Sequence, residues 1–151
     1  MKHYLGIDPG QSGGMGVLDR DGTPLAWTRM PKGAALVIAW LTEAQQRYPN
    51  LVLVAELAQA MPKQGITGAF THGRHFGLFE AAALILKAPY HEVRPNIWKK
   101  AMGLTSKKLD SITLCQRLFP AVELIPIGCK KDHDGIAESL LIGEWARRQS
   151  L

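Results

Sequence analysis

At 151 residues, with 46% hydrophobic and 21% charged side chains, the chain has the length and balance of one globular domain with a real core. No apolar run approaches the length of a membrane span, and MKHYLGID enters a strand pattern at once, so neither a membrane anchor nor a signal peptide is expected. The net charge of +5 is uneven: residues 57–117 carry nine basic side chains against three acidic, residues 1–56 carry five of each, and residues 118–151 carry four against five. A basic middle between balanced ends suits a polyanion lying across it, although lysines that only solvate helix faces would give the same count.

In chain order, HYLGID reads as a short strand ending in a charge, and GGMGVLDRDGTPLAWTRM as two strands turned at Asp21-Gly22. Residues 33–48 have helical spacing in Leu36, Ile38, Ala39 and Leu41, and Tyr48-Pro49-Asn50 stops them. LVLVAE is a continuous apolar run, as in a strand covered on both faces, and LAQAMPKQG after it is a loop. Residues 66–87 predict a long helix with Ile66, Ala69, Phe70, Gly73, Phe76, Gly77, Ala81 and Leu84 on one side. Its glycines weaken the helix, which implies a close approach by another backbone. YHEV is a strand, RPNIWKKAMG a proline-started helical turn, SKKLDSITLCQRLFP an amphipathic helix capped by Ser106, and the tail from Asp134 the last helix. That order predicts an α/β fold, a mixed sheet with helices on both faces, in a single domain over residues 1–151. Cys115 and Cys129 form no Cys-x-x-Cys pair and are expected to be reduced and inert in a cytosolic protein.

Acids recur where these elements end or begin. Asp8 closes the first strand, Glu56 closes LVLVAE, and Asp134 and Glu138 open the last helix. The last two are four apart and share a face with Leu141 and Trp145, so Glu138 lies inside an apolar stripe. Taken singly, Asp8 reads as a turn residue, Glu56 as a solvated strand end and Asp134 as a helix cap. Taken together, neighbouring strand ends facing a helix start would gather four carboxylates, which cannot crowd together ionised without a cation. Oxygen ligands of this kind suit Mg²⁺ or Mn²⁺, and two such ions about 3.5–4 Å apart can clamp a phosphodiester. The glycines of GIDPGQSGGMGV leave a backbone bare enough for a phosphate to come close. Nucleotide-binding proteins of the sugar-kinase and actin kind also use such a hairpin.

LGIDPGQSGGMGV, the acid closing VAE, and KKDHDGIAESLLIGEWARR together resemble a RuvC-type Holliday junction resolvase of the ribonuclease H-like superfamily. DHDGIAESLLI, RPNIWKKAMGL and SKKLDSITLCQRLFP put the resemblance nearest the phage-encoded branch, and it spans nearly the whole chain. It implies a ribonuclease H-like five-stranded sheet. It makes Asp8 the acid that bridges both metals, Glu56 the second-strand acid, and Glu138 the last acid, within AESL. Asp134 matches the acid one turn earlier, but the family's pair is usually three apart and here it is four. Asp132 therefore remains an alternative ligand, with Asp134 preferred because it is in register with Glu138. His133 could reach a metal or simply be a loop histidine. Lys108 matches a basic residue that contacts the scissile phosphate, with Lys107 beside it. Lys63, Gln64, His72, Arg74 and His75 lie near the acids in the expected order and could hold phosphates. The family's aromatic wedge is missing from LAQAMPKQG, where Met61 is the apolar residue. Phe76, Phe79 and Trp98 read as core or dimer contacts rather than stacking platforms.

The resemblance further implies two-metal hydrolysis: one ion activates water for in-line attack, and the other stabilises the departing 3′ oxygen, leaving 5′-phosphate and 3′-hydroxyl ends. Two symmetric cuts imply a twofold homodimer, with the helix over 66–87 as its contact. The place of action would be a bacterial or phage-infected host cytoplasm. A nuclease for flaps or other branched DNA would use the same acids. An actin-like nucleotide-binding domain would need a second domain and a further glycine-rich site. A catalytically silent DNA-binding module would have to tolerate four acids that repel phosphate.

Overall fold

The computed structural model describes residues 1–57 and 65–151. Alternation along three strands builds two cores at once. In β4 (Leu51–Glu56), Leu51, Leu53 and Ala55 point to one side and Val52 and Val54 to the other, and both sets are buried. The same division separates Leu5 and Ile7 from Tyr4 in β1 (His3–Asp8), and Met15 and Val17 from Leu18 in β2 (Gly14–Asp19). β3 (Pro24–Arg29) and β5 (Tyr90–Val93) complete a five-stranded sheet in the order β3-β2-β1-β4-β5. β1, β2 and β3 pair antiparallel, while β4 runs parallel to both β1 and β5. The sheet is mixed, as predicted.

One core lies under α1 (Ala34–Arg47) and α2 (Ile66–Leu86). The other lies under α3 (Pro95–Ala101), α4 (Lys108–Leu118) and α5 (Asp134–Arg148). Phe79 and Trp98 are fully buried core residues and Phe76 packs against the core, so none of the three offers a free stacking face. Cys115 is buried, and burial pushes its thiol up to about 12, whereas Cys129 is exposed. Among the described residues, no helix is long and apolar enough to cross a membrane.

Local expectations need correction at two helix starts. Ser106 is not the cap of α4: Lys107 holds that position without a side-chain cap bond, and the Thr105 hydroxyl accepts from the Lys107 amide at 3.1 Å while donating to Asp110. Nor does Asp134 cap α5, since His133 does so through Nδ1, which accepts from the Ile136 amide at 3.2 Å. Two of the glycines around Asp8, Gly6 and Gly14, serve helix packing. A Cβ on Gly6 would lie 1.9 Å from the Ser139 carbonyl oxygen, and one on Gly14 2.7 Å from that of Gly135, so bare backbone lets α5 settle onto β1 and β2. On α2 the reverse holds. A Cβ on Gly73 or Gly77 would meet nothing within 4 Å, so among the described residues no backbone makes the expected approach there.

Candidate active site

Two facts of topology assemble the acids. β1 and β4 are parallel neighbours paired as far as Ile7 and Ala55, so their last residues, Asp8 and Glu56, end the two strands side by side. The bare strip of Gly6 and Gly14 draws α5 down across the same strands, which brings Asp134 and Glu138 to that end. Burial, followed by the Glu138 and Glu56 carboxylates and, more weakly, Asp134, raises Asp8 from 3.8 to about 7. The Gly10 amide, which donates to Asp8 Oδ1 at 3.4 Å, offsets only part of this. Burial likewise raises Glu56, with Glu138 adding to the effect.

Each remaining acid is held by its own partner. The Trp98 indole Nε1 donates to Glu56 Oε2 at 2.6 Å. Lys99 Nζ and the Ser111 hydroxyl both donate to Glu138 Oε1, at 2.8 and 2.9 Å. Lys108 Nζ stands 2.6 Å from Asp134 Oδ2, and this hydrogen bond raises the lysine's pKa. Asp132 turns aside, accepting from Gln116 on α4 at 3.4 Å, so Asp134 rather than Asp132 faces the other acids. Burial lowers His133, whose Nδ1 is committed to the helix cap.

The other expected contacts divide. Lys107 is exposed at the start of α4. On α2, Arg74 is exposed, His72 is half-buried, and His75 bonds through Nδ1 to the carbonyl of Pro9, next to Asp8. Met61, Lys63 and Gln64 lie outside the described residues.

Trp98, Lys99 and Ser111 were not singled out for the site from the sequence. Ser111 did carry a signal: it sits on the Leu114 and Cys115 side of α4 and is fully buried, the same anomaly that marked Glu138. Lys99 was visible only as one charge of the basic middle segment. Trp98 looked like core, and it is core with its one polar atom aimed at an acid.

The donor set is oxygen throughout and carries more negative charge than its surroundings readily accept, which fits Mg²⁺ or Mn²⁺. The side chains as they lie are engaged with protein donors, and among the described residues no three metal-binding groups converge on one point. The bonds from Lys99 and Ser111 go to Glu138 Oε1 and that from Lys108 to Asp134 Oδ2, one oxygen of each carboxylate.

No protein-family model matches the chain, and no curated protein gives a significant sequence match. Solved structures do match. The chain resembles Thermus thermophilus RuvC in complex with a Holliday junction substrate at a TM-score of 0.68 and 18% identity, covering 99% of this chain and 96% of that one. A second Thermus thermophilus RuvC structure gives 0.67 at 18% identity, with 98% and 96% covered. The yeast mitochondrial Holliday junction resolvase Ydc2 gives 0.63 at 17% identity, with 99% and 79% covered. The chain therefore has the ribonuclease H-like fold of the RuvC resolvases.

Proposed function

We propose that the chain is a structure-selective endodeoxyribonuclease that resolves Holliday junctions by metal-dependent phosphodiester hydrolysis, leaving 5′-phosphate and 3′-hydroxyl ends. The observation that carries this reading is the gathering of Asp8, Glu56, Asp134 and Glu138 at the C-terminal ends of the central strands β1 and β4, where burial and three acids raise Asp8 to about 7. Such a cluster disfavours DNA unless cations intervene.

Asp8, Glu56, Asp134 and Glu138 would hold two Mg²⁺ or Mn²⁺ ions, whose chemistry when bound is to activate water and neutralise charge on the phosphate. The protein's own contribution is placement. Trp98 fixes Glu56 through its indole, and Ser111 fixes Glu138. Lys99 and Lys108 pair with Glu138 and Asp134 and bring positive charge to the place where a DNA phosphate would lie. With its side chain 72% exposed, Lys108 has the freer reach.

Paired cuts call for two sites in one particle, and the α2 surface suits a homodimer. Ile66 is 90% exposed, Phe70 72% and Leu84 75%, beside the unfilled strip of Gly73 and Gly77.

The test is cleavage of a synthetic four-way junction beside linear duplex in Mg²⁺ or Mn²⁺, with Asp8→Asn in parallel. Paired symmetric nicks in the junction alone, absent in the variant, are expected. Cuts across flaps and other branched DNA would make the chain a general debranching nuclease, and no cleavage of any DNA by folded protein would sink the reading.

A further inference from the structure

Beside the carboxylates, and separate from them, an open pocket of about 730 Å³ lies between the Met30–Gly33 loop, the first turn of α1 and one side of α2. Small-molecule pockets run from about 300 to 1,000 Å³, so this one can take a nucleotide. No acid lines it. Its charged groups are Lys32 and Arg74, both exposed, and among the described residues neither forms an ion pair. Its apolar wall comes from Met30, Pro31 and Leu78, with Met30 only 5% exposed. A cationic rim above an apolar wall matches the two halves of a nucleotide, phosphate and base.

The position is equally informative. His75 lines the pocket and holds the Pro9 carbonyl through Nδ1, which ties the pocket to the residue after Asp8. A carbonyl only accepts, so His75 Nδ1 carries the hydrogen of this bond, and Gln11, two residues beyond Pro9, lines the same pocket. Thr71, Arg74, His75 and Leu78 occupy a different side of α2 from Ile66, Gly73, Gly77 and Leu84.

We propose that this pocket receives one unpaired nucleotide of the DNA strand held at Asp8, with its phosphate between Lys32 and Arg74 and its base against Met30, Pro31 and Leu78. The inference rests on the nuclease reading above and deepens it. A base inside a duplex must be unstacked at a cost of a few kcal/mol before it can enter such a site, whereas a strand exchange point supplies bases already strained or unpaired. The pocket thus turns substrate geometry into affinity and gives the site a reason to prefer branched DNA.

The experiment uses four-way junctions carrying 2-aminopurine either next to the cut position or well inside an arm, bound in Ca²⁺, alongside cleavage assays in Mg²⁺. Binding by wild type should brighten the probe next to the cut and leave the arm probe unchanged. Ala34→Trp, which fills the pocket from its α1 wall, should abolish that brightening. Joint replacement of Lys32 and Arg74 by alanine, two exposed positions where folding is not at stake, should lower the slope of log affinity against log salt by about one. Wild type that cleaves the junction without brightening the probe overturns the pocket and leaves the nuclease intact. Brightening that survives Ala34→Trp, or a salt slope unchanged in the double variant, equally places the base elsewhere. Failure of wild type to cleave any DNA removes the reading on which the pocket rests.

Discussion

Asp8 is the residue where charge is hardest to keep. Folding raises its pKa from 3.8 to about 7, so between those values the folded chain keeps a proton that the unfolded chain has released. Its contribution to stability is therefore greatest below about pH 4, falls as pH rises, and reaches its minimum above 7. Asp8→Asn removes that loss: in metal-free buffer at pH 8 its Tm should exceed wild type, by roughly 2–4 °C for each kcal/mol relieved. Mg²⁺ should then raise the Tm of wild type but not of the variant, and apparent metal affinity should tighten as pH climbs through 7, because the ion displaces the proton. A Tm ordering that does not change with pH would show that Asp8 is not strained. Lys99 is the counterweight. It meets Glu138 with side chains only 19% and 11% exposed, and removing one partner of a buried pair costs about 3–5 kcal/mol, trimmed here by partial solvent access to about 2–3. Lys99→Met should melt correspondingly lower without metal and recover part of the loss in Mg²⁺, with thermal melts in both buffers as the check. The four acids were legible because each interrupts or ends an apolar pattern. Trp98 and Lys99 were not, because their roles arise only when a seven-residue helix is packed beside strands distant in the chain.

At the scale of elements, the glycines separate what the sequence announces from what it conceals. It marks that bare backbone is needed near Asp8 but not which neighbour needs it, and at Gly6 and Gly14 the neighbour is α5. Gly6→Ala would set a methyl 1.9 Å from the Ser139 carbonyl and 2.5 Å from the Gly143 nitrogen, both backbone atoms that cannot step aside. Lifting α5 should cost about 3 kcal/mol or more and displace Glu138 with it, so denaturant melts and cleavage should fail together. Gly73→Ala meets open space and should stabilise the isolated α2 by about 0.5–1 kcal/mol. If α2 packs on a second copy, the same methyl should weaken association while the protomer melts higher. Those opposite signs, read from dilution series and melts, separate a glycine kept for an interface from one merely tolerated. Helix starts were also less legible than helix bodies. Lys107 and His133 hold positions that Ser106 and Asp134 were expected to fill, because a cap depends on the local path of the chain and not on residue preference alone.

For the whole molecule, the continuous apolar run of LVLVAE and the order of elements were enough to draw the mixed sheet, since a strand buried on both faces demands helices on both sides. Assembly is where a single chain stops informing. The exposed run of Ile66, Phe70 and Leu84 on α2 is a large apolar face for one protomer to leave in water, and burial against a twofold copy would relieve it. Phe70 is 72% exposed and belongs to no core cluster of the described residues, so Phe70→Glu should leave the protomer's melt nearly unchanged. It would place two carboxylates near the axis of an α2–α2 contact, and repulsion and desolvation there should shift the chain to monomer, measured by sedimentation at micromolar concentration. Cleavage then decides what the dimer is for. A monomer with intact carboxylates should still nick one strand of a junction, but the second cut should lag and the two nicks should lose their symmetry. A monomeric variant that still made both cuts together would mean that each protomer acts alone and that α2 serves some other surface. A Phe70→Glu chain that remained dimeric would move the contact to a different face.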